Sequence, residues 1–598
     1  MLKKFFLNLL SSFVGAWIAM VLFCVVAVMV VVGVAARLGG DEEGGSTKLS
    51  SDSVLLLDLS GTIIETPEGG QLDFMSLATG EGVESPMALN VLVDGIREGK
   101  ESDDIKAMYI KCGHPLASPA TLNAVRQAVA DFKKSGKKVY AYADAMTMGD
   151  YFVASQADSL FLNPGGMLEI SGLGGTTLFF KEFLDKIGVK MTLVKVGTFK
   201  SAAEPYISNQ MSAPARAQLD TLYGNMWSYI GKAVAEGRSI LQDNSLNKAA
   251  DEFIVFQSAS SVLDQGFVDR LVYERQIDDI VGRLVDKDGK DVKYFTPETL
   301  AGNSGWGKAY GHKSKVAVLY ATGEIQEHSK NGIDCYRLVP QITELADDDD
   351  VKALVLRVNS PGGSVFGSEQ IGEALDYFKS KGKPFIVSMG DYAASGGYWI
   401  SCTADRIYAD PLTITGSIGI FGLFPSAEGL MKKLGVTPQT VSTNPGTDIS
   451  LFYDPTPAQL EVLQRYIDDG YSRFVKRVAK GRKISEARVR QIAEGRVYDA
   501  GQAMRLKLVD KLGSLDDAVA YAASEAGLKE DKYGIAVYPK YKPDFLDILK
   551  AQGLDQLNLE LSEISGSSPE SILIRETSRM LRQYPWQARM TPVIVRFN

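Results

Sequence analysis

Apolar and polar residues along this chain fall into blocks that recur. A short apolar run ending at glycine stands at Ser53–Ile63 (SVLLLDLSGTI) and again at Lys315–Ile325 (KVAVLYATGEI), and such runs predict buried strands. A second strand pattern follows each, IKAMYIK or VKALVLRV, flanked by amphipathic helical spacing and closed by a Gly/Pro loop. Helical spacing then covers Ala120–Lys134 and Ser368–Lys381, leading into third strands KKVYAYA and KPFIVSMG. Strands alternating with helices of about 10–15 residues imply parallel βαβ units with right-handed crossovers. Beyond each core, residues 213–240 and 456–484 carry long helical apolar spacing and no reactive motif. They read as packing arms.

The blocks are copies of one another. Asp103–Pro115 (DDIKAMYIKCGHP) is echoed by Asp349–Pro361 (DDVKALVLRVNSP), and Phe183–Val194 by Leu430–Val441. The offsets agree: 382 − 136 = 246 for a glycine, 405 − 158 = 247 for an aspartate and 435 − 188 = 247 for a second glycine. So long a period marks a duplicated domain rather than a solenoid repeat. The expected layout is a front lobe over 53–275, a connector over 276–313, a rear lobe over 314–540 and a C-terminal segment over 541–598 of undisclosed role. The copies differ in their chemistry. The rear lobe has AASGGYW, a turn that presents Ser395, where the front has MTMGDYF. The front has VGTFKSAAEPY, with Lys200, where the rear has STNPGTDISLF. One half offers a nucleophile and the other a base.

The N-terminus has a different pattern. Phe13–Ala36 is an uncharged run of 24 residues, about 36 Å as a helix and enough to cross a hydrocarbon core of about 30 Å. Lys3 and Lys4 precede it, and Asp41, Glu42 and Glu43 follow Arg37, which favours a cytoplasmic N-terminus over residues 1–12. A cleaved signal peptide is the competing reading. The run exceeds the usual apolar region of about 7–15 residues and VAAR is a poor cleavage site. An uncleaved anchor over 13–36, followed by a Gly-rich tether over 37–52, is therefore expected.

Composition narrows the classes. The 598 residues carry a net charge of −9 with no basic stripe, which counts against a nucleic-acid partner. Cys24, Cys112, Cys335 and Cys402 are scattered without metal-type spacing; they read as free thiols, one disulfide among the last three being the alternative. With three histidines, none beside other reactive residues, neither a metal nor a cofactor site is expected.

Ser395 lies in DYAASGGYWIS, between a strand and an apolar helical run. A turn of small residues there sets a hydroxyl at a helix N-terminus, where backbone N–H groups point outward. The amide of Gly396 can then donate to a developing oxyanion. The Asn359–Ser364 loop (NSPGGS) supplies a second donor through Gly362 or Gly363, glycine allowing the approach. Each Gly-rich turn alone is a weak signal. Ser395 also needs a base, and Lys200 follows a strand-like MTLVKV among small residues. Most lysines are solvated surface charges, and an ordinary one, pKa ~10.4, costs about 4.6 kcal/mol to deprotonate at pH 7. Only burial could make Lys200 a base.

Taken together, AASGGYWIS, TGSIGIFG (Thr415–Gly422), VNSPGGS and VGTFKSAAEPY resemble the long form of the signal peptide peptidase A (protease IV) family. These are membrane-anchored serine–lysine peptidases of family S49. The resemblance runs from the anchor through both lobes. It implies an α/β fold of tandem duplicated Clp-protease/crotonase-like βαβ domains with helical arms, plus one N-terminal transmembrane helix. It implies Ser395 as nucleophile, Lys200 as general base, Ser417 as the residue orienting the lysine, and Gly363 and Gly396 as oxyanion donors. Expected substrates are cleaved signal peptides and short unfolded peptides, with no cofactor. The expected setting is a bacterial inner membrane, catalytic side periplasmic, in a tetrameric ring with the bilayer as the other partner. Two other readings share the fold: a crotonase-type acyl-thioester enzyme, and an inactive membrane-anchored scaffold.

Overall fold

In the computed structural model, the described residues are 51–65, 86–242, 244–301, 312–329, 332–444, 450–529, 532–539 and 586–589. The expected anchor, Phe13–Ala36, lies outside them, and no helix among the described residues is long and apolar enough to cross a membrane. Asp52–Asn598 forms one compact unit.

Two parallel sheets repeat one strand order. In the front lobe Ser53–Ile64 pairs with Ile105–Leu116, which pairs with Lys138–Ala143, then Ser159–Leu162, then Arg270–Leu271. In the rear lobe the series is Lys315–Thr322, Val351–Ser360, Phe385–Ala394, Arg406–Ala409 and Lys511–Leu512. The first strands are apolar runs because helices cover the sheet: Val54, Leu55, Leu57 and Leu59 have no exposed surface, nor have Val316, Ala317, Val318 and Leu319. The copying extends to an outer strand beside each first strand, Tyr294–Phe295 in front and Gly534–Tyr538 behind. Residues 277–301, expected to fall in a connector, thus continue the front lobe as a helix (Ile277–Gly282), this edge strand and a helix (Pro297–Ala301).

The repeated charges in the sequence have matching duties. Lys137 Nζ donates to the carbonyls of Gly99, Lys100 and Ser102 at the end of helix Leu89–Glu101. Lys383 does the same for Leu345, Ala346 and Asp348 at the end of helix Cys335–Asp347. A cation there satisfies carbonyls that lack helical partners. Asp158 accepts from the Val139 amide and Asp405 from that of Phe385, locking the third strand of each lobe to the fourth. The arms are long helices, Ala213–Gly237 capped by Ser212 and Pro457–Arg482 capped by Thr456, each with proline in its first turn.

The lobes meet along a mixed sheet. Front strand Lys190–Lys195 runs antiparallel to rear strand Phe421–Ser426, Lys195 opposite Phe421 and Lys190 opposite Ser426. Gly188, at φ +86°, lets the front backbone reach Leu430, whose amide donates to the Gly188 carbonyl at 2.7 Å. Behind the sheet, Arg357 makes two hydrogen bonds to Glu65, 3.0 Å from Nε and 2.8 Å from Nη2. Burial alone would lower the Arg357 pKa, but the Glu65 carboxylate holds it above the ordinary value. Asp391 accepts from Thr121 across the lobes, and Asn123 donates to Asp410. Arg357→Ala would leave the Glu65 charge buried and unpaired. Urea denaturation should show a loss of about 3–5 kcal/mol, with a smaller loss for the double variant Glu65→Met/Arg357→Met; equal losses would show that the pair does not hold the seam.

Candidate active site

Ser395 joins strand Phe385–Ala394 to helix Gly396–Ser401. Its backbone sits at φ 56°, ψ −116°, a conformation a residue with a Cβ adopts only under constraint. Two bonds impose it: the Ser395 amide donates to the Gly416 carbonyl at 2.8 Å, and Trp399 N–H donates to the Ser395 carbonyl at 2.9 Å. Trp399 is held in turn by the ring of Phe474 on the rear arm, 4.6 Å between centroids. Space behind the serine is tight: a Cβ on Gly396 would lie 2.5 Å from Ser368 Oγ and would force that hydroxyl to shift. The expectation that the turn presents its serine at the surface is not met. Ser395 has no exposed surface, and Lys200 Nζ lies against its hydroxyl.

Lys200 follows strand Lys190–Lys195 on a turn that the rear lobe grips. Phe199 N–H donates to the Glu494 carbonyl at 2.9 Å. A Cβ on Gly197 would lie 2.4 Å from that carbonyl, and one on Gly495 2.6 Å from Lys200 Cβ. Held this way, Lys200 Nζ lies 2.9 Å from Ser395 Oγ, 3.0 Å from Ser417 Oγ and 3.2 Å from the Ser417 carbonyl oxygen. Only 1% of Lys200 is exposed. Among the described residues no carboxylate pairs with it, and burial pushes its pKa well below the ordinary 10.5. Ser417 is fixed by its own amide, which donates to the Arg496 carbonyl at 2.7 Å. The amine thus has hydroxyl and carbonyl neighbours that orient it without restoring its charge. Such an amine can take a proton from the serine hydroxyl it touches.

Gly363, in strand Gly362–Ser364, has φ +152°, and a Cβ there would lie 2.0 Å from the Ile325 carbonyl oxygen. Its amide nitrogen is 3.2 Å from where a Cβ on Gly396 would stand, so the two glycine backbones abut beside Ser395. The structure therefore brings together Lys200, Ser395, Ser417, Gly396 and Gly363. Sequence reasoning missed the Glu494–Arg496 clasp and Ser368, whose only signal was a glycine in an otherwise ordinary EGRVYD. A cavity of about 470 Å³ on the outer side of the lysine turn, lined by Lys195–Thr198, Tyr471, Arg490 and Glu494, includes neither Ser395 nor Lys200 in its lining.

The front lobe has neither the strained turn nor the chemistry: its helix Met148–Ala154 starts after Thr147, an extended N-cap at φ −74°, ψ 167°. Met148, fully buried, stands at the serine's place, and Asp150 at that of Gly397. The Asp150 carboxylate accepts from the amides of Gly113 and His114 and from Thr147. Burial raises its pKa. The counterpart of the lysine turn in the rear lobe falls partly outside the described residues.

The profile of peptidase family S49 matches residues 131–287 and 377–529. A Clp protease profile matches residues 306–409. The chain belongs to peptidase family S49. Its relatives in the family include Protease 4 of Haemophilus influenzae, 36% identical over 81% of each chain. Protease 4 of Salmonella typhi is 33% identical over 85% of this chain and 84% of its own. A shorter relative, the putative signal peptide peptidase SppA of Enterococcus faecium, is 35% identical over 38% of this chain and 65% of its own. Family membership makes the protein an SppA-type protease with a duplicated, Clp protease-like α/β fold.

The buried amine has a consequence for stability. An unfolded lysine keeps its ordinary pKa, so below 10.5 the unfolded state binds the extra proton; the folded state is penalised, and stability rises as pH climbs from the depressed pKa toward 10.5. Lys200→Met removes the charge while keeping the chain length. It should raise the thermal midpoint at pH 7 and narrow that gain toward pH 10 in calorimetry; a lowered midpoint at both pH values would contradict the burial penalty.

Proposed function

We propose that this protease is a serine endopeptidase whose catalytic pair is Ser395 and Lys200. The observation that carries the reading is the 2.9 Å approach of Lys200 Nζ to Ser395 Oγ in a pocket that favours the neutral amine. In this reading Lys200 takes the Ser395 proton as the serine oxygen attacks a peptide carbonyl. The amides of Gly363 and Gly396 donate to the oxyanion, each worth about 3–4 kcal/mol in such a site. Protonated Lys200 passes its proton to the leaving amine as the C–N bond breaks. Water, deprotonated by Lys200, then opens the ester at Ser395 and the serine is regenerated. Ser417 steers the lysine through both steps.

The substrate class we propose is cleaved signal peptides and other short, unfolded hydrophobic peptides. Support comes from the relative named as a putative signal peptide peptidase and from the depth of the serine, which no folded chain could reach. The apolar Phe13–Ala36 run supports anchoring in a bacterial inner membrane with both lobes on the periplasmic side. A tetrameric ring belongs to the same reading, resting on the family resemblance.

Ser395→Ala and Lys200→Ala should each cut kcat/KM for a hydrophobic, signal-like peptide by about 10⁴-fold or more, read by mass spectrometry of the fragments. Turnover within tenfold of the parent in either variant would overturn the pair. The pH profile supplies a second test. Because the active form is the neutral amine, kcat/KM should rise through a limb set well below the ordinary lysine range. A limb near 10.5 would contradict a desolvated base.

A further inference from the structure

The turn that brings Lys200 to Ser395 is closed by a second lysine. Lys195 ends the strand Lys190–Lys195 and pairs with Phe421, and the amide of the next residue, Val196, donates to the Ile420 carbonyl at 3.0 Å. The backbone of Lys195 is thus fixed to the rear lobe. From there its Nζ reaches across Val196–Phe199 and donates to the backbone carbonyl of Lys200 at 3.2 Å. Gly197, at φ +108°, turns the chain between the two lysines.

That carbonyl and the amine that meets Ser395 belong to one residue and share one Cα. Holding the carbonyl helps to fix the direction in which the side chain leaves the backbone. The chain is tied on both flanks of that Cα, before it by the Phe199 amide on the Glu494 carbonyl at 2.9 Å and after it by Lys195. A bond from a charged donor belongs to the stronger class, and a misplacement of about 1 Å in a catalytic group can cost about 10²-fold in rate. The settings of the two amines differ although they are 5 residues apart. Lys195 is half-buried and lines the cavity of about 470 Å³ with Tyr471, Arg490 and Glu494, whereas Lys200 is 1% exposed.

We propose that Lys195 is a positioning residue for the proton transfer: it fixes the Lys200 backbone so that Nζ meets Ser395 Oγ, acting through Lys200 rather than on the serine. This role rests on the Ser395–Lys200 pair proposed above. Its signature is a loss in kcat without a matching change in KM, because the tie acts on the base and not on the bound peptide.

Lys195→Met in the full chain keeps the stem of the side chain and removes the donor. For a hydrophobic, signal-like peptide, kcat should fall about tenfold or more while KM stays within about twofold of the parent. Lys195→Cys should lose as much. Alkylation of that cysteine with 2-bromoethylamine, which rebuilds an amine of lysine length on the sulfur, should restore kcat, and an S-ethyl group should not. Cys112, Cys335 and Cys402 are buried, and the parent treated with the same reagents is the control. A kcat within about twofold of the parent in Lys195→Met, or a raised KM with kcat unchanged, overturns the role. So does an aminoethyl group that restores no more than the ethyl group. Should Lys195→Met unfold by circular dichroism, the alkylated cysteine proteins carry the same comparison. Failure of the underlying pair reads differently: turnover near the parent's in Lys200→Ala would remove the base through which Lys195 acts, whatever Lys195→Met does.

Discussion

A buried lysine amine with no partner of opposite charge among the described residues is the constraint on which the rest of this molecule depends. Taking a charge out of water is expensive unless a counter-ion or a lost proton relieves it. Lys200 has hydroxyl and carbonyl oxygens around it and no carboxylate among the described residues. Burial therefore shifts the balance toward the neutral amine. The same desolvation that weakens the fold at this point is what the proposed role of the amine as a base requires.

Holding that amine takes elements from both halves of the chain. Its turn is gripped by Glu494 and Gly495, its Nζ is met by Ser417, and its strand is paired with Phe421–Ser426. A distance of 2.9 Å between residues 195 positions apart survives only if the lobes do not slide. The Glu65–Arg357 pair and the Thr121–Asp391 and Asn123–Asp410 bonds act against sliding. Asp410 shows the tightness of the joint: burial raises its carboxyl pKa to about 7, largest among its causes. Duplication let the halves diverge around this joint. The rear lobe has a strained turn at Ser395, while in the front lobe Met148 opens an ordinary capped helix and Asp150 ties up the neighbouring amides.

Much of this was legible in the residues. The paired apolar runs marked the first strands of both sheets, and the 246–247 offsets marked two copies with one strand order. The Lys137/Lys383 and Asp158/Asp405 pairs, visible as repeated letters, proved to be repeated hydrogen bonds. The asymmetry of the copies pointed to Ser395 and Lys200. What stayed hidden depended on contacts distant in sequence. Nothing in EGRVYD says that Gly495 will press on Lys200 Cβ. Nothing in Trp586–Arg589 says that it will pair between two strands more than 160 residues before it. The serine's burial was missed for the same reason, since a turn read locally carries no information about what lies over it.

The most direct test is the titration of the Lys200 side chain itself. With ¹³C-labelled lysine in the Ser395→Ala protein, the Lys200 Cε resonance, assigned through Lys200→Arg, would be followed from pH 5 to 11. One lysine moving at a pH well below all the others is what a dehydrated amine at the seam requires. Co-titration of Lys200 with the solvated lysines near 10.5 would mean that the amine is charged at neutral pH, and the account would fall.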